Sequence, residues 1–489
     1  MPDTSHPTPV NAQTIHPGEF EAYRHWYPKA FNATIHPMVN FFLSLEQERI
    51  IRRYTHLHPK VKGNVLEEMM NYECKHFLWG GADLINVTSA SGRRQMVIIE
   101  NNSCPSGQKS MPLVEDFKEQ GSYRNLIEET FVPFLKKRGS NIQGKLGVIY
   151  DKNPMEASGY AAIMAEVCGE DVLYAPFYQN DTDPPVRFVD GVMEIRDENN
   201  IWQPIRAAFR YVTQRPWNRI PAHTKTKILN PTVACLAGGR NKMIAAKAYE
   251  NFNNDELERS GLRINTPETI WDVKKEEIPN WVNQMGGQAV VKIPYSNAGQ
   301  GVFTIVTPEE LDDFMKQDFP YDRFIVQSLI GNYNWSSTGL STGKLFHVGT
   351  VPNTKGKTFV ADLRMMVSWT ENGIRPLCVY ARRARKPLEN KLEEGGKSWD
   401  ILGTNLSIKR TDGGWDSDTN RLILMDRRDF NRLGIGVDDL IEAYIQTVLS
   451  MVAIDKMAKT LMNSAGRFRI KHFKSLNDDQ HLLEEILLE

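Results

Sequence analysis

Nowhere in its 489 residues does this chain carry an apolar run of the roughly 20 residues that a membrane span requires. It also lacks a CxxC pair. Its five cysteines, Cys74, Cys104, Cys168, Cys235 and Cys378, are scattered. An odd, unpaired set excludes a disulfide framework and reads as reduced thiols. Charge of one sign is missing too. The 59 basic and 60 acidic side chains leave a net charge of -1, which gives no global attraction to nucleic acid or to a membrane surface. The opening MPDTSHPTPVNAQTIHPGEF has no apolar segment of the secretory kind. Residues 1–18 therefore read as a disordered tail, and the location as cytoplasmic. There is no internal repeat and no low-complexity block.

What is present is a soluble globular profile, with 41% hydrophobic and 24% charged residues. The length exceeds one ordinary core and predicts two or three lobes, some interleaved in sequence. Strand and helix patterns alternate, which places the chain in the α+β or α/β class. Asn40–Tyr54, Asn64–Phe77 and the long stretch Leu113–Arg138 read as helices, and Met96–Glu100 as a buried strand. Lys145–Tyr150, Glu156–Cys168 and Asp171–Pro176 form a βαβ unit, hence a Rossmann-like lobe. Val186–Ile195 reads as a hairpin turning at Asp190-Gly191, and Ala207–Val212 as a strand. Asn241–Phe252 is predicted helical, and Val437–Met462 a long amphipathic helix. The polar, Gly-rich segment Lys386–Trp415 reads as a mobile loop.

The most informative stretch is Ala289–Val306, AVVKIPYSNAGQGVFTIV. Two strands flank a turn of small residues, where glycines let backbone N–H groups approach phosphate oxygens closely. Lys292 ends the first strand and reaches a phosphate as a point charge. Ser296, Asn297, Gly299 and Gly301 supply the turn. The pattern is not a P-loop, and no helix opens directly after it. Upstream, Gly238-Gly239 and Asn241-Lys242 open a helix with Arg240 and Lys242 at its N-terminus. Those cations oppose the helix dipole, and an anion there would resolve the conflict. Phe324–Ile330 is an apolar strand able to wall a base, with Gln327, Ser328 and Leu329 offering backbone groups to its edge. Each piece alone is also a plain hairpin, a solvated helix start or a buried strand. Glu100 and Asn102 stand two apart at a strand end and can present two oxygens to one cation. Arg206 and Arg210 lie four apart on a predicted strand and share a face.

Asn230-Pro231, Gly238-Gly239, Asn241-Lys242, Lys292 with its glycine turn, and Val326-Gln327-Ser328-Leu329 follow one another in an order that resembles the ATP-grasp superfamily. Within it the arrangement is similar to glutathione synthetase of the eukaryotic type, and so to glutathionylspermidine synthetase-like enzymes, whose ATP-grasp fold is circularly permuted. There the metal-binding Glu-x-Asn falls near the N-terminus, as Glu100-Asn101-Asn102 does here, followed by a substrate turn, here Ser103-Cys104-Pro105-Ser106-Gly107. The resemblance implies two α+β lobes clamping ATP, with an inserted Rossmann-like substrate lobe. Residues 19–140 would form the N-terminal part of the core, 141–229 the substrate lobe, 230–330 the nucleotide lobe and 331–489 the rest of the core. The family's glycine turn carries a metal-binding glutamate that is absent here, and Asp362 is a substitute on a nearby strand. The unpermuted order would instead place the metal on Asp362 and Asn405.

The activity implied is an ATP- and Mg2+-dependent ligase that joins a small-molecule carboxylate to an amine through an acyl-phosphate, releasing ADP and phosphate. Positioning and charge neutralisation carry such a phosphoryl transfer. The resemblance gives ATP to Lys242, Lys292, Ser296, Asn297, Gly299, Gly301, Gln327, Ser328 and Leu329, and magnesium to Glu100, Asn102 and Asp362. It gives catalysis to Arg210, Arg364 and Arg385, and substrate to Ser103, Ser106, Gly107 and Arg206. Partners expected are the two small substrates, neither nucleic acid nor membrane, and a second copy in a homodimer. A phosphotransferase on the same fold and a nucleotide-binding protein without turnover are the alternatives.

Overall fold

The computed structural model describes residues 11–137, 142–213, 217–296, 299, 301–339, 343–393, 395–409 and 415–487, and the fold is α+β. In chain order the strands are β1 (Gln13–Ile15), β2 (Trp79–Ser89), β3 (Arg94–Asn102), β4 (Lys145–Tyr150), β5 (Val172–Pro176), β6 (Val186–Val189), β7 (Val192–Arg196), β8 (Trp202–Tyr211) and β9 (Lys227–Leu229). They continue as β10 (Thr269–Val273), β11 (Ala289–Lys292), β12 (Val302–Ile305), β13 (Phe324–Ser328), β14 (Leu345–His347), β15 (Ala361–Thr370), β16 (Gly373–Arg383), β17 (Ser407–Lys409), β18 (Trp415–Ser417) and β19 (Leu422–Ile423).

Three larger sheets result. The first runs β1-β5-β4-β8-β7-β6 with β9 on β8, and its parallel β4-β5 pair is joined by the Pro154–Cys168 helix as a βαβ unit. The β6-β7 hairpin turns at Asp190 and Gly191, both at positive φ, as the Asp-Gly pair predicts. The second sheet, β10-β13-β11-β12, carries the glycine hairpin. The third, β14-β2-β15-β16-β19 with β3 on β2, joins strands from both ends of the chain.

The largest core lies around the Val437–Thr460 helix. Leu440 through Asp455 is buried without interruption, so this helix is enclosed on every side rather than amphipathic. A helix apolar all round belongs inside a large core. Among the polar residues buried on it, which include Glu442, Gln446 and Ser450, Asp455 organises its surroundings. Its carboxylate accepts from the N–H groups of Lys75, His76 and Phe77 at 2.6–3.0 Å, which is why the helix expected to reach Phe77 stops at Met70.

Other boundaries also moved. The helix expected over Asn40–Tyr54 is two, Pro37–Leu43 and Gln47–Leu57. The stretch from Leu113 becomes helical only at Gly121, whose φ of +48° sets a new start, and it contains a π turn over Ile127–Phe131. Residues 13–15, read as tail, pair with β5, while residues 1–10 lie outside the described set. In the segment read as a mobile loop, Ser398 is buried and bonds to Thr304 and Glu310, while residues 394 and 410–414 lie outside the described set.

Candidate active site

Register in the third sheet builds one side of a charged cleft. Across β3, β2, β15 and β16 the directly opposed residues are Glu100, Asp83, Arg364 and Tyr380. Opposed residues in an antiparallel sheet share a face. A bulge at Ile99 keeps Glu100 opposite Asp83. Two residues along, on the same face, come Ile85, Asp362 and Arg382. The Arg364 fork grips Asp83 at 2.5 and 2.7 Å. Arg382 bridges Asp83, at 2.8 Å, and Asp362, which also accepts from Thr404 at 2.9 Å. Burial would raise the Asp83 carboxyl, but the two guanidinium groups hold it well below the carboxylate range.

The second sheet and the Lys242–Ser260 helix bring two ammonium groups to this row. Lys242 Nζ lies 3.2 Å from Glu100 Oε1 and donates to the Ser296 carbonyl at 2.7 Å. Lys292, buried at the end of β11, donates to the Ile99 carbonyl at 2.9 Å. The anion that the basic helix start called for is thus Glu100, while Asn241 caps that start. Burial and Asp83 oppose ionisation of Glu100, but Lys242 and Lys292 outweigh them and keep its carboxyl below the usual range. Burial, reinforced by Lys242 and only partly offset by Glu100, pushes Lys292 down to about 8. Burial likewise lowers Lys242.

Between the two sheets lies a cavity. Its polar walls include Asp83, Glu100, Asn102, Lys292, Asp362, Arg364 and Arg382, and its apolar walls include Val290, Leu329, Ile330, Val360 and Leu402. Gly299, at φ +74°, brings the hairpin against the far cover, where an added Cβ would meet Trp399 at 3.0 Å. A Cβ on Gly301 would collide with the Ser296 hydroxyl. Asn297 lies outside the described residues. A second cavity of about 680 Å³, shared through Ile99, Glu100, Lys292 and Gln327, opens behind Lys242 beside the helix that carries it.

The chain is similar in structure to ATP-grasp proteins. A RimK-domain ATP-grasp protein from Sphaerobacter thermophilus aligns with a TM-score of 0.28 and 12% identity, over 53% of this chain and 97% of that one. A glutathione synthetase-like effector from Globodera pallida aligns at 0.35 and 9%, over 72% and 86%. D-alanyl-alanine synthetase A from Vibrio cholerae aligns at 0.31 and 10%, over 48% and 88%. No family model and no curated protein matches the sequence. Likenesses this loose leave the functional reading to the site's own geometry.

Several expected roles fail on that geometry. In the substrate turn, Ser103 N–H donates to the Gly239 carbonyl, while Ser106 Oγ and Gly107 N–H both donate to Glu156, which is fully buried. The N–H groups of Ser103 and Gly107 and the Ser106 hydroxyl are therefore turned inward and lock the turn. Arg210 is also structural: only 1% exposed, it donates to the carbonyls of Asn230 and Val212 and to Ser103 Oγ. Arg206 pairs with Glu170 and the Gly144 carbonyl, and it lines neither cavity. Arg385 is a surface residue paired with Asp400 at 3.4 Å, and Arg382 occupies the cleft instead. The N–H of Leu329 donates to Ser337 Oγ and its carbonyl accepts from Ser337 N–H, so that backbone cannot read a base edge. Gln327 and Ser328 line the cavity, with the Gln327 amide bonded to Thr269.

Other residues were not expected. Asp83 is the hub of the row, and a lone carboxylate within the apolar β2 run was the available signal. Behind the turn, Lys152 lies 2.9 Å from the Cys104 carbonyl, and Arg219 pairs with Asp151 at 2.7 Å. Arg240 holds its buried Nε and Nη2 without a hydrogen-bond partner. Burial opposes ionisation of Cys104, but Lys152 and Arg210 outweigh it and lower the thiol. Lys152 and Arg219 are far apart in sequence, so no local pattern announced them, whereas Arg240 belongs to the basic helix start already read from the sequence.

Magnesium takes hard oxygen ligands, few of them from protein when phosphates supply the rest. Glu100 and Asn102 fit that donor set, and Asn102 keeps a buried, unpartnered amide nitrogen in the same cavity, whereas Arg364 and Arg382 already take the oxygens of Asp83. Asp362 fits less well, because Arg382 and Thr404 already take its oxygens. Among the described residues, no cluster of three or more His, Cys, Asp or Glu could hold a metal ion by itself. No helix among them is long and apolar enough to cross a membrane.

Proposed function

We propose that this protein is an ATP- and Mg2+-dependent carboxylate–amine ligase of the circularly permuted ATP-grasp kind, working through an acyl-phosphate. The observation that carries the reading is the meeting of Glu100 and Asn102 with Lys242 and Lys292 in one cleft, with Arg364 alongside. The permuted order is supported by β3, which bears Glu100 early in the chain yet sits in the same sheet as β15 and β16.

The polyphosphate would lie along Lys242 and Lys292 beneath the glycine hairpin. Magnesium, held by Glu100 and Asn102, would neutralise the phosphate oxygens as charge moves during transfer. Arg364 donates to the Ser106 carbonyl at 3.1 Å and so stands between Asp83 and the substrate turn. There it would meet the transferring phosphoryl. Arg240, Lys152 and Arg219 would supply the positive field that draws in the acid. Trp399, Leu402 and Gly403, folded against the glycine hairpin, would keep water from the acyl-phosphate.

Supplying hydroxylamine as the amine, with ATP, Mg2+ and a panel of carboxylic acids, tests the reaction class. Hydroxamate formed with equimolar ADP supports the ligase. ADP with a phosphorylated hydroxyl compound and no hydroxamate would make it a phosphotransferase. Thermal stabilisation by nucleotide with no ADP from any acid would make it a binding protein.

A further inference from the structure

Ser398 is fully buried, although Gly395 and Lys397 close before it are exposed. It stands at the N-cap of the short helix Trp399–Leu402, where a serine ordinarily bonds the helix's own first N–H groups. Its side chain makes no such bond. The hydroxyl instead donates to Glu310 Oε1 at 2.7 Å, and the Ser398 N–H donates to the same oxygen at 2.9 Å. The hydroxyl also lies 2.5 Å from the Thr304 hydroxyl on β12. The other Glu310 oxygen accepts from Val306 N–H at 2.9 Å, so both oxygens of the carboxylate are engaged. Glu310 belongs to the Pro308–Met315 helix, which follows the second strand of the glycine hairpin. One carboxylate thus ties the sheet of that hairpin to the residue before Trp399. Trp399 and Leu402 line the inter-sheet cavity, and an added Cβ on Gly299 would meet the Trp399 ring at 3.0 Å.

We propose that Glu310 and Ser398 are positioning residues that latch Trp399 over the loaded cleft and set the share of acyl-phosphate that reaches the amine rather than water. The inference rests on the ligase reading of the site. When the amine attacks, its nitrogen bonds to the acyl carbon. The bond from that carbon to the phosphate oxygen breaks, the amine loses a proton and phosphate leaves. When water attacks instead, the acid is regenerated and phosphate is lost without product. Both routes consume the ATP, so the ratio of amide product to ADP reports how well water is kept out. Neither Glu310 nor Ser398 lines the cavity. Hydrogen bonds to a carboxylate are stronger than neutral ones, so they hold the cover firmly from outside the reacting centre. Loss of the latch leaves the charged groups of the cleft in place and lets the cover open more often.

The test compares the full chain with Ser398→Ala, Ser398→Thr and Glu310→Gln, using ATP, Mg2+, hydroxylamine and the panel of carboxylic acids, with hydroxamate and ADP both counted. The wild type should form them in nearly equal amounts. Ser398→Ala removes the hydroxyl bonds, and the excess of ADP over hydroxamate should rise about fivefold, all of it dependent on the acid. A folding defect would instead lower both products together. Ser398→Thr keeps the hydroxyl and should restore the wild-type ratio. Glu310→Gln turns an amide N–H toward the N–H of either Ser398 or Val306 and should uncouple as Ser398→Ala does, which keeps the test decisive where the alanine variant does not fold. An unchanged ratio in folded Ser398→Ala or Glu310→Gln overturns the latch alone. Excess ADP that forms without acid also overturns it, because no acyl-phosphate is then being lost. A wild type that forms no hydroxamate with any acid of the panel overturns the ligase reading and this inference with it.

Discussion

Two charged groups share the cleft and differ in how completely their charges are matched. Asp83, Asp362, Arg364 and Arg382 form a closed grid of forked bonds, two carboxylates against two guanidinium groups. Glu100, Lys242 and Lys292 form an unbalanced set, one carboxylate against two ammonium groups, with Lys292 resting on a carbonyl. The grid is complete as it stands and shapes the sheet face. The trio has a positive charge to spare in a buried place, which is costly until an anion arrives. On the proposed reading, a polyphosphate with its metal would supply that anion. The grid thus reads as scaffold, holding Arg364 in place beside the turn, and the trio as binding machinery.

That contrast can be broken by mutation. The largest effect is expected from Glu100→Gln, which keeps the shape but removes the metal's carboxylate. Turnover should fall about a hundredfold or more, well beyond any loss of stability from leaving Lys242 and Lys292 without their carboxylate. Equal losses of activity and stability would place Glu100 in the scaffold. Lys292→Ala should follow, weakening nucleotide affinity by about tenfold to a hundredfold through loss of a charge-assisted contact, read by calorimetry. Asp362→Asn should behave in the opposite way. It leaves buried Arg382 short of a partner, a change that costs about 3–5 kcal/mol when a buried pair is broken. The melting midpoint should drop by several degrees, with nucleotide affinity retained in the protein that remains folded.

Proton uptake sharpens the comparison further. Lys292 titrates near 8 in the folded protein, below its ordinary value. The unfolded chain therefore holds this proton more tightly, so the group opposes folding at neutral pH, and the penalty fades as pH rises from about 8 toward 10. Bound phosphate should raise Lys292 again, so nucleotide binding near pH 8.5 should take up a fraction of a proton. Calorimetry in two buffers of different ionisation heat measures it, and Lys292→Arg should abolish it. The smallest effects belong to Arg206→Ala and Arg385→Ala. Both remove partly exposed pairs that line no cavity, so kcat should hold and stability should change by about 1 kcal/mol or less.

Local pattern carried much of the fold. The βαβ unit, the Asp-Gly hairpin and the glycine hairpin are short-range features, and each appears within a few residues of its expected limits. Glu100, Asn102, Lys242 and Lys292 were also legible, because a paired oxygen motif and strand-end or helix-start lysines are visible without tertiary contacts. Asp83 and Arg382 acquire meaning only from sheet register, which joins positions about 280 residues apart. The Ser103–Gly107 turn failed as a donor set because Glu156, on the Pro154–Cys168 helix, claims hydrogens of Ser106 and Gly107, and the Gly239 carbonyl takes that of Ser103. Arg210 failed for the same reason: carbonyls from three segments fill its fork. A residue type suited to a ligand is equally suited to holding the fold, and only partners distinguish the two.

The most direct measurement is AMP-PNP affinity with and without Mg2+ in the wild type, Glu100→Gln and Arg385→Ala. Binding should strengthen with magnesium in the wild type and in Arg385→Ala, and lose that dependence in Glu100→Gln. Equal magnesium dependence in all three proteins would contradict a metal–nucleotide site at Glu100.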